Sequence, residues 1–250
     1  MALAKATGFV IRAFDYQESS RIVTLLSSRL GKISLLAKGA RKIESQFGAT
    51  LDLLNLIEVV FYEGKGLKLL KEATLIEGYP GLKRDYDRLE AALQAARVLN
   101  LLLREGQGEG RAFRLFREFL QELASAREGL RLGPLRLGFK LKLIDYLGFG
   151  PELEACASCG RPLARDEPLW LSHQAGGLVC ADCRAARVQA QGRAQTEIGL
   201  REVAPPLAQA WRASLRFPLG RLSRLSLPDE LIKVGEGLLD EFIAYHLQPI

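Results

Sequence analysis

The chain reads as an α+β protein, with a five-stranded barrel at its N-terminus and then an all-helical domain carrying an inserted four-cysteine zinc ribbon. Three observations predict this. Up to about residue 77 the apolar residues fall in short, β-branched runs broken by turn residues. After Tyr79-Pro80-Gly81 they recur at three- and four-residue spacing. The four cysteines stand in two pairs, Cys156-x-x-Cys159 and Cys180-x-x-Cys183. The expected boundaries are 1–80 for the barrel and 81–250 for the helical domain, with the ribbon at about 152–190.

In the first region, strands are expected at Gly8–Phe14, at Arg21–Ser27 and, after a Leu30-Gly31 turn, at Lys32–Ala37. A fourth runs from Leu53 to Tyr62, and Glu63-Gly64-Lys65-Gly66 turns it into a fifth, Leu67–Leu75. Five strands in so short a span match the OB-fold, a partly open Greek-key barrel that commonly binds single-stranded nucleic acid. A small SH3-like barrel is the competing reading.

Charge is segregated along the chain. Residues 1–42 hold eight Lys or Arg against Asp15 and Glu18, a net +6, and the remaining 27 basic and 27 acidic residues cancel. One-sided charge of this kind predicts a polyanionic partner. On a barrel surface, cations track phosphates while aromatic rings stack on bases. The candidate DNA-binding residues are Arg12, Arg21, Lys32, Lys38, Arg41 and Lys42, with Gly39-Ala40-Arg41-Lys42 as a basic loop. Phe9, Phe14, Tyr16, Phe47 and Tyr62 are the local aromatics, and for each a place in the core is the competing reading.

Beyond residue 80, Leu89, Ala92, Leu93, Ala96, Leu99 and Leu103 mark an amphipathic helix. Asp85, Asp87 and Glu90 open it, where acids complement the helix dipole, a simpler account of them than Mg²⁺ binding. Gly106-Gln107-Gly108-Glu109-Gly110 is a loop with no phosphate-binding pattern. A second helix spans 111–126, with Phe113, Phe116, Phe119, Leu120 and Leu123 apolar. A third follows Gly133-Pro134, with Leu135, Phe139, Leu143 and Tyr146 on one side and Arg136 and Lys140 one turn apart on another. Residues 184–204 read as loose and Arg-rich, Leu207–Leu215 as helical, and Pro228-Asp229-Glu230 as the start of a last helix to Leu247. The apolar set of that helix is Leu231, Val234, Leu238, Phe242 and Tyr245.

A thiolate pair two residues apart supplies two metal ligands from one tight turn, and a second pair closes a tetrahedron. Cys156, Cys159, Cys180 and Cys183 therefore predict one structural Zn²⁺ with no coordination position left for water. Gly160, Gly176 and Gly177 stand where knuckle turns need them, and Leu169-Trp170-Leu171 reads as a strand over the site. Two disulfides or four buried thiols are the alternative. His173 lies between the pairs and reads as a polar loop residue rather than a ligand.

The start of the chain lacks a secretory pattern and no apolar run approaches the roughly 18 residues of a membrane span, so a cytoplasmic, nucleoid-associated protein is expected. With only His173 and His246 for histidines, no catalytic constellation is legible, and the chain is expected not to be an enzyme. The rival readings are a nucleic-acid-modifying enzyme braced by the ribbon and a zinc-ribbon protein-interaction module.

Two stretches carry a resemblance. One is Leu30-Gly31-Lys32-Ile33-Ser34-Leu35-Leu36-Ala37-Lys38-Gly39-Ala40-Arg41-Lys42. The other runs from Leu147-Gly148-Phe149-Gly150-Pro151 through Cys156-Ala157-Ser158-Cys159-Gly160 to Gly176-Gly177-Leu178-Val179-Cys180-Ala181-Asp182-Cys183. In this order, the whole chain resembles the bacterial RecO family of recombination and repair proteins. The resemblance implies binding to single- and double-stranded DNA, annealing of complementary strands, action with RecR, and help in loading RecA onto DNA coated by single-strand-binding protein. It also implies contact between the helical region and the acidic tail of the coating protein, for which Arg136 and Lys140 are the candidates.

Overall fold

The computed structural model describes residues 2–64, 66–106, 110–125, 129–191 (backbone only at 190 and 191) and 199–247. Two compact units emerge, Met1–Ala126 and Arg127–Ile250.

In the first unit, β1 (Leu3–Tyr16), β2 (Ser20–Ser27), β3 (Gly31–Ala37), β4 (Leu56–Tyr62) and β5 (Lys68–Glu77) close a barrel in the order β1-β2-β3-β5-β4. All neighbours are antiparallel except β3 and β5, which meet in parallel at Leu35↔Lys68 and Leu36↔Leu69. This is the OB arrangement, and the SH3-like alternative falls away. Alternation along the strands sends Val10, Val23, Leu25, Ile33, Leu35, Ile57, Val59, Phe61 and Leu70 into the barrel. Each such burial is worth about 1.5–3 kcal/mol before entropy is set against it.

The fourth strand begins at Leu56 rather than at Leu53. Ahead of it, Gly48–Leu51 form a single 3₁₀ turn and Leu54 takes a left-handed conformation at φ +70°. That strain is held because Leu54 is fully buried and the kink meets a bulge in β1, with Leu54 N–H donating to Val10 O at 2.8 Å and Val10 N–H to Asn55 O at 2.9 Å. The Lys65 position of the expected β4–β5 turn lies outside the described residues.

Helices then clasp the barrel. α1 (Pro80–Lys83) leads to α2 (Tyr86–Leu102), whose N-cap Asp85 accepts from Arg88 N–H at 3.2 Å, and α3 spans Gly110–Ala124. Phe9 points out of the barrel onto Tyr79, Phe113 and Phe116, with ring centroids 6.4, 5.1 and 5.2 Å away. The buried face of α2 is Ala91, Ala92, Ala95, Ala96, Leu99 and Leu102. Leu89 and Leu93 of the expected stripe are only half-buried, because small alanines let the helix approach on that side. Gln107, Gly108 and Glu109 of the expected glycine-rich loop, and the expected helix end at Ala126, lie outside the described residues.

In the second unit α4 (Leu132–Tyr146) is the central helix, buried on more sides than the single expected stripe, with Leu137, Leu141 and Ile144 inside as well as Leu135, Phe139 and Leu143. A small sheet in the order β7-β6-β8 follows, made of β6 (Leu169–Ser172), β7 (Gly177–Cys180) and β8 (Leu200–Val203), with α5 (Ala181–Gln191) between β7 and β8. The loose stretch expected at 184–204 is thus helical up to 191 and a strand from 200; residues 192–198 lie outside the described set. Trp170 and Leu171 pair with Glu202 and Arg201 in this strand.

The unit ends with α6 (Pro205–Arg216), α7 (Leu219–Leu222) and α8 (Asp229–Leu247). On α8 the buried face is Ile232, Gly235, Leu238, Leu239, Phe242 and Ile243, while Val234 and Tyr245 are exposed. Leu238 and Phe242 of the expected apolar set are thus buried, and the rest of the face is shifted toward Ile232, Gly235, Leu239 and Ile243. Gly235 lies on this face against α6, where a Cβ would lie 2.6 Å from the Leu207 side chain. Among the described residues no helix is long and apolar enough to cross a membrane.

Candidate metal centre and nucleic-acid interface

The two cysteine pairs meet. Cys156 and Cys159 sit on the first knuckle, Cys180 ends β7 and Cys183 lies in the first turn of α5; their sulfur atoms all lie within 4.8 Å of one another. A zinc tetrahedron with bonds of about 2.3 Å needs sulfurs about 3.8 Å apart, so the set fits after a small contraction. All four are free thiols, which removes the disulfide reading.

Local backbone builds the knuckles. Gly160 at φ +75° returns its N–H to Cys156 O at 2.8 Å, and Gly176 turns β6 into β7 at φ +77°. Gly177 is needed for space, since a Cβ there would lie 2.5 Å from Glu152 O. Burial pushes the Cys156 thiol up, but N–H groups of Cys159, Cys180 and Ser158 outweigh it and bring the thiol down to about 6. Cys183 is pushed up to about 12 by its hydrogen bond to Cys159 and by burial beside the other sulfurs. Four sulfurs so close do not all ionise without a cation, and a divalent ion bound among them would supply that charge.

Side chains that the cysteine pattern does not announce brace the centre. Arg161 lies beside the Cys180 sulfur and pairs with Glu167 at 2.6 Å. Arg187 on α5 donates to Ser172 at 2.8 Å and to Ser158 at 3.0 Å, tying the helix to both the strand and the knuckle. Arg212 of α6, almost fully buried, donates to Leu153 O at 2.8 Å. The only sign of these in sequence is the excess of arginine around the ribbon.

His173 lies in the turn after β6, as expected, but it is buried. It is 8% exposed, packs on Phe242 and Tyr245 with centroids 6.0 and 5.8 Å away, and leaves Nε2 without a partner. Trp211 is fully buried, and Trp170 is half-buried with the Arg184 guanidinium 4.6 Å over its ring.

On the barrel, the structure gathers some of the predicted cations and turns one away. Arg12 lies over the Phe14 ring at 4.7 Å on the outer wall. Arg21 opposes Asp15 across β1–β2, and their carboxylate–guanidinium distance is 3.3 Å. Arg41 reaches the other oxygen of Asp15 at 3.2 Å and also donates to Gln17 O and Glu18 O. Lys38 and Lys42 are exposed on the same β3–β4 connection, where Lys42 N–H closes a turn onto Gly39 O at 3.1 Å. Lys32 points elsewhere: its ammonium donates to Asn100 O at 2.6 Å and Leu103 O at 3.0 Å, capping the C-terminus of α2. Of the aromatics, Phe9 and Phe47 are core, Tyr62 is half-buried, and Phe14 and Tyr16 are exposed. Asp15 is a residue that charge counting overlooks, since it enters that count only as one of two acids.

Arg136 and Lys140 face α8, paired with Glu236 at 2.9 Å and Asp240 at 2.7 Å.

Comparison with known proteins identifies the family. The family model "Recombination protein O N terminal" matches residues 1–79 and "Recombination protein O C terminal" matches residues 83–249. DNA repair protein RecO of Rubrobacter xylanophilus is 34% identical over 185 residues, 74% of this chain and 73% of that protein. Those of Pelobacter propionicus and Geobacter metallireducens are 31% and 30% identical, over 97% and 99% of this chain and 91% and 93% of theirs. On both halves, then, the chain belongs to the RecO family.

Proposed function

We propose that the chain is a non-catalytic DNA-binding recombination mediator. It binds single- and double-stranded DNA, anneals complementary strands and, with RecR, helps load RecA onto DNA coated by single-strand-binding protein. The observation that carries this reading is the set of cations on an OB barrel: Arg12 over the exposed Phe14 ring, Arg21 and Arg41 at Asp15, and Lys38 and Lys42 exposed on the β3–β4 connection. OB barrels bind oligonucleotides across the β2–β3 face and the β1–β2 and β4–β5 loops, and Arg41 is anchored on the β1–β2 turn. The relatives' name as DNA repair proteins supports the same role.

Annealing needs backbone repulsion screened while base edges stay accessible, which cations and a few stacking rings supply without any covalent step. The four sulfurs would hold one Zn²⁺, which would cross-link the knuckles and leave no open position for chemistry on DNA. Arg136 and Lys140 stand where an acidic tail would compete with Glu236 and Asp240 for them.

The test is RecA filament growth on gapped DNA coated with single-strand-binding protein, with RecR present. Adding the chain accelerates filament growth, with no strand cleaved. No acceleration with RecR present, or cleavage of the DNA, contradicts the reading.

A further inference from the structure

At the rim of the barrel one carboxylate sits between two guanidiniums. Ala13, Val23 and Leu35 form a row directed inward, and Asp15 and Arg21 follow them two residues on with the same parity, at the mouth. Asp15 Oδ1 is 3.3 Å from Arg21 Nε and Oδ2 is 3.2 Å from Arg41 Nε.

Arg41 does not depend on Asp15 for its place. Its head also donates to Gln17 O at 3.3 Å and Glu18 O at 3.1 Å, and its backbone N–H to Ser19 O at 3.0 Å. Gln17 holds a left-handed φ of +54°, and the turn it belongs to offers these carbonyls. Two cations are therefore held at one point, and a single acid bridges them.

A phosphodiester has the features of that acid: one negative charge and two equivalent oxygens spaced to accept from two guanidinium forks. It also accepts in more directions than a carboxylate. The Asp15 pairs are well exposed, so screening makes them cheap to exchange. Asp15 and Arg21 themselves line a cavity of about 360 Å³, together with Ala13, Phe14, Leu51, Asp52 and Leu53. Its walls mix the charged Asp15, Arg21 and Asp52 with apolar side chains; the Phe14 ring and the leucines suit the flat face of a base, and the Asp52 carboxylate suits an exocyclic amine.

We propose that Arg21 and Arg41 form a one-nucleotide subsite for single-stranded DNA, that Asp15 holds the place of its phosphate until DNA displaces it, and that the cavity takes the adjacent unstacked base. This rests on the DNA-binding reading and names the site within it. Asp15 thereby tunes affinity downward, so that strands exchange rather than stay bound.

The test compares wild type, Asp15→Asn, Arg21→Gln and the double variant on a fluorescent mixed-sequence oligonucleotide across a salt series, with thermal melting to check folding. Removing one like charge at this distance in a high-dielectric setting is worth a factor of about five. Asp15→Asn is expected to bind about fivefold tighter at low salt and to show a salt slope steeper by about 0.7. That gain disappears in the Arg21→Gln background.

Asp15→Asn binding no tighter than wild type, both melting alike, overturns the inference alone. So does an equal gain with and without Arg21, which is a general charge effect. If no variant binds even at low salt, the DNA-binding reading itself fails and the subsite with it.

Discussion

Lys32 and Arg41 belong to the same basic stretch, yet their heads meet different surroundings. Arg41 stands on the β1–β2 turn, exposed and bonded to carbonyls that leave part of its fork toward solvent. Lys32 is turned onto the end of α2, where burial draws its ammonium below the ordinary lysine value despite the nearby Glu105 carboxylate. Arg21→Gln is therefore expected to reduce the salt slope of DNA binding by about 0.7–0.9, and Lys32→Gln to leave it unchanged. Equal slopes for the two variants contradict this division. His173 makes a second case at this scale. Burial is the main cause that lowers its pKa, with Arg201 and His246 adding to it and Glu241 opposing. The unfolded chain then takes up a proton that the folded one resists, so stability falls as pH drops through the ordinary histidine value of 6.5. Replacing His173 with Phe is expected to flatten the melting-temperature profile below that pH; an unchanged profile would place the acid sensitivity elsewhere.

Among the elements, the ribbon is the one whose folding is expected to depend on its ligands. Its own apolar cluster is built on Cys156, Val179 and Cys180, with only partly buried residues around them, so the sulfurs are themselves the core. Cys180→Ser is expected to abolish stoichiometric zinc and to lower the melting temperature, while DNA binding through the barrel partly survives. Metal analysis beside binding curves checks both halves. Gly177→Ala should act on the same element through space alone, because the new Cβ meets Glu152 backbone and no flexible side-chain end. The cysteine spacing and the knuckle glycines make this element legible in the sequence, since their chemistry is local. Strand β8 is not legible there: Leu200–Val203 pairs with Trp170 and Leu171 across about thirty residues of chain, and nothing near it in sequence marks it as a strand. The face of α8 misleads for a related reason. A glycine contributes nothing to an apolar count, yet Gly235 lies on the packed side, close against Leu207.

For the whole molecule, segregation of charge is the feature that connects sequence to function. The first 42 residues hold the entire formal excess of +6, and the fold places much of it around the rim and loops of one barrel. The switch from two-residue to 3.6-residue apolar period near residue 80 marks where strands give way to helices. Compactness runs on to residue 126, because Phe9 faces outward and needs Phe113 and Phe116 to cover it, a pairing that sequence distance hides. DNA binding by the basic barrel is tested directly by equilibrium titration of a fluorescent mixed-sequence oligonucleotide across a salt series, with annealing of its complement followed in the same samples. Wild type is set against the charge reversals Lys38→Glu, Arg41→Glu and Lys42→Glu combined. Wild type is expected to bind in a salt-dependent, sequence-tolerant way and to speed annealing, and the slope of the triple variant to be flatter by roughly 0.7–0.9 for each phosphate it no longer neutralises. Affinity and slope unchanged between wild type and the triple variant would contradict a DNA site on this barrel.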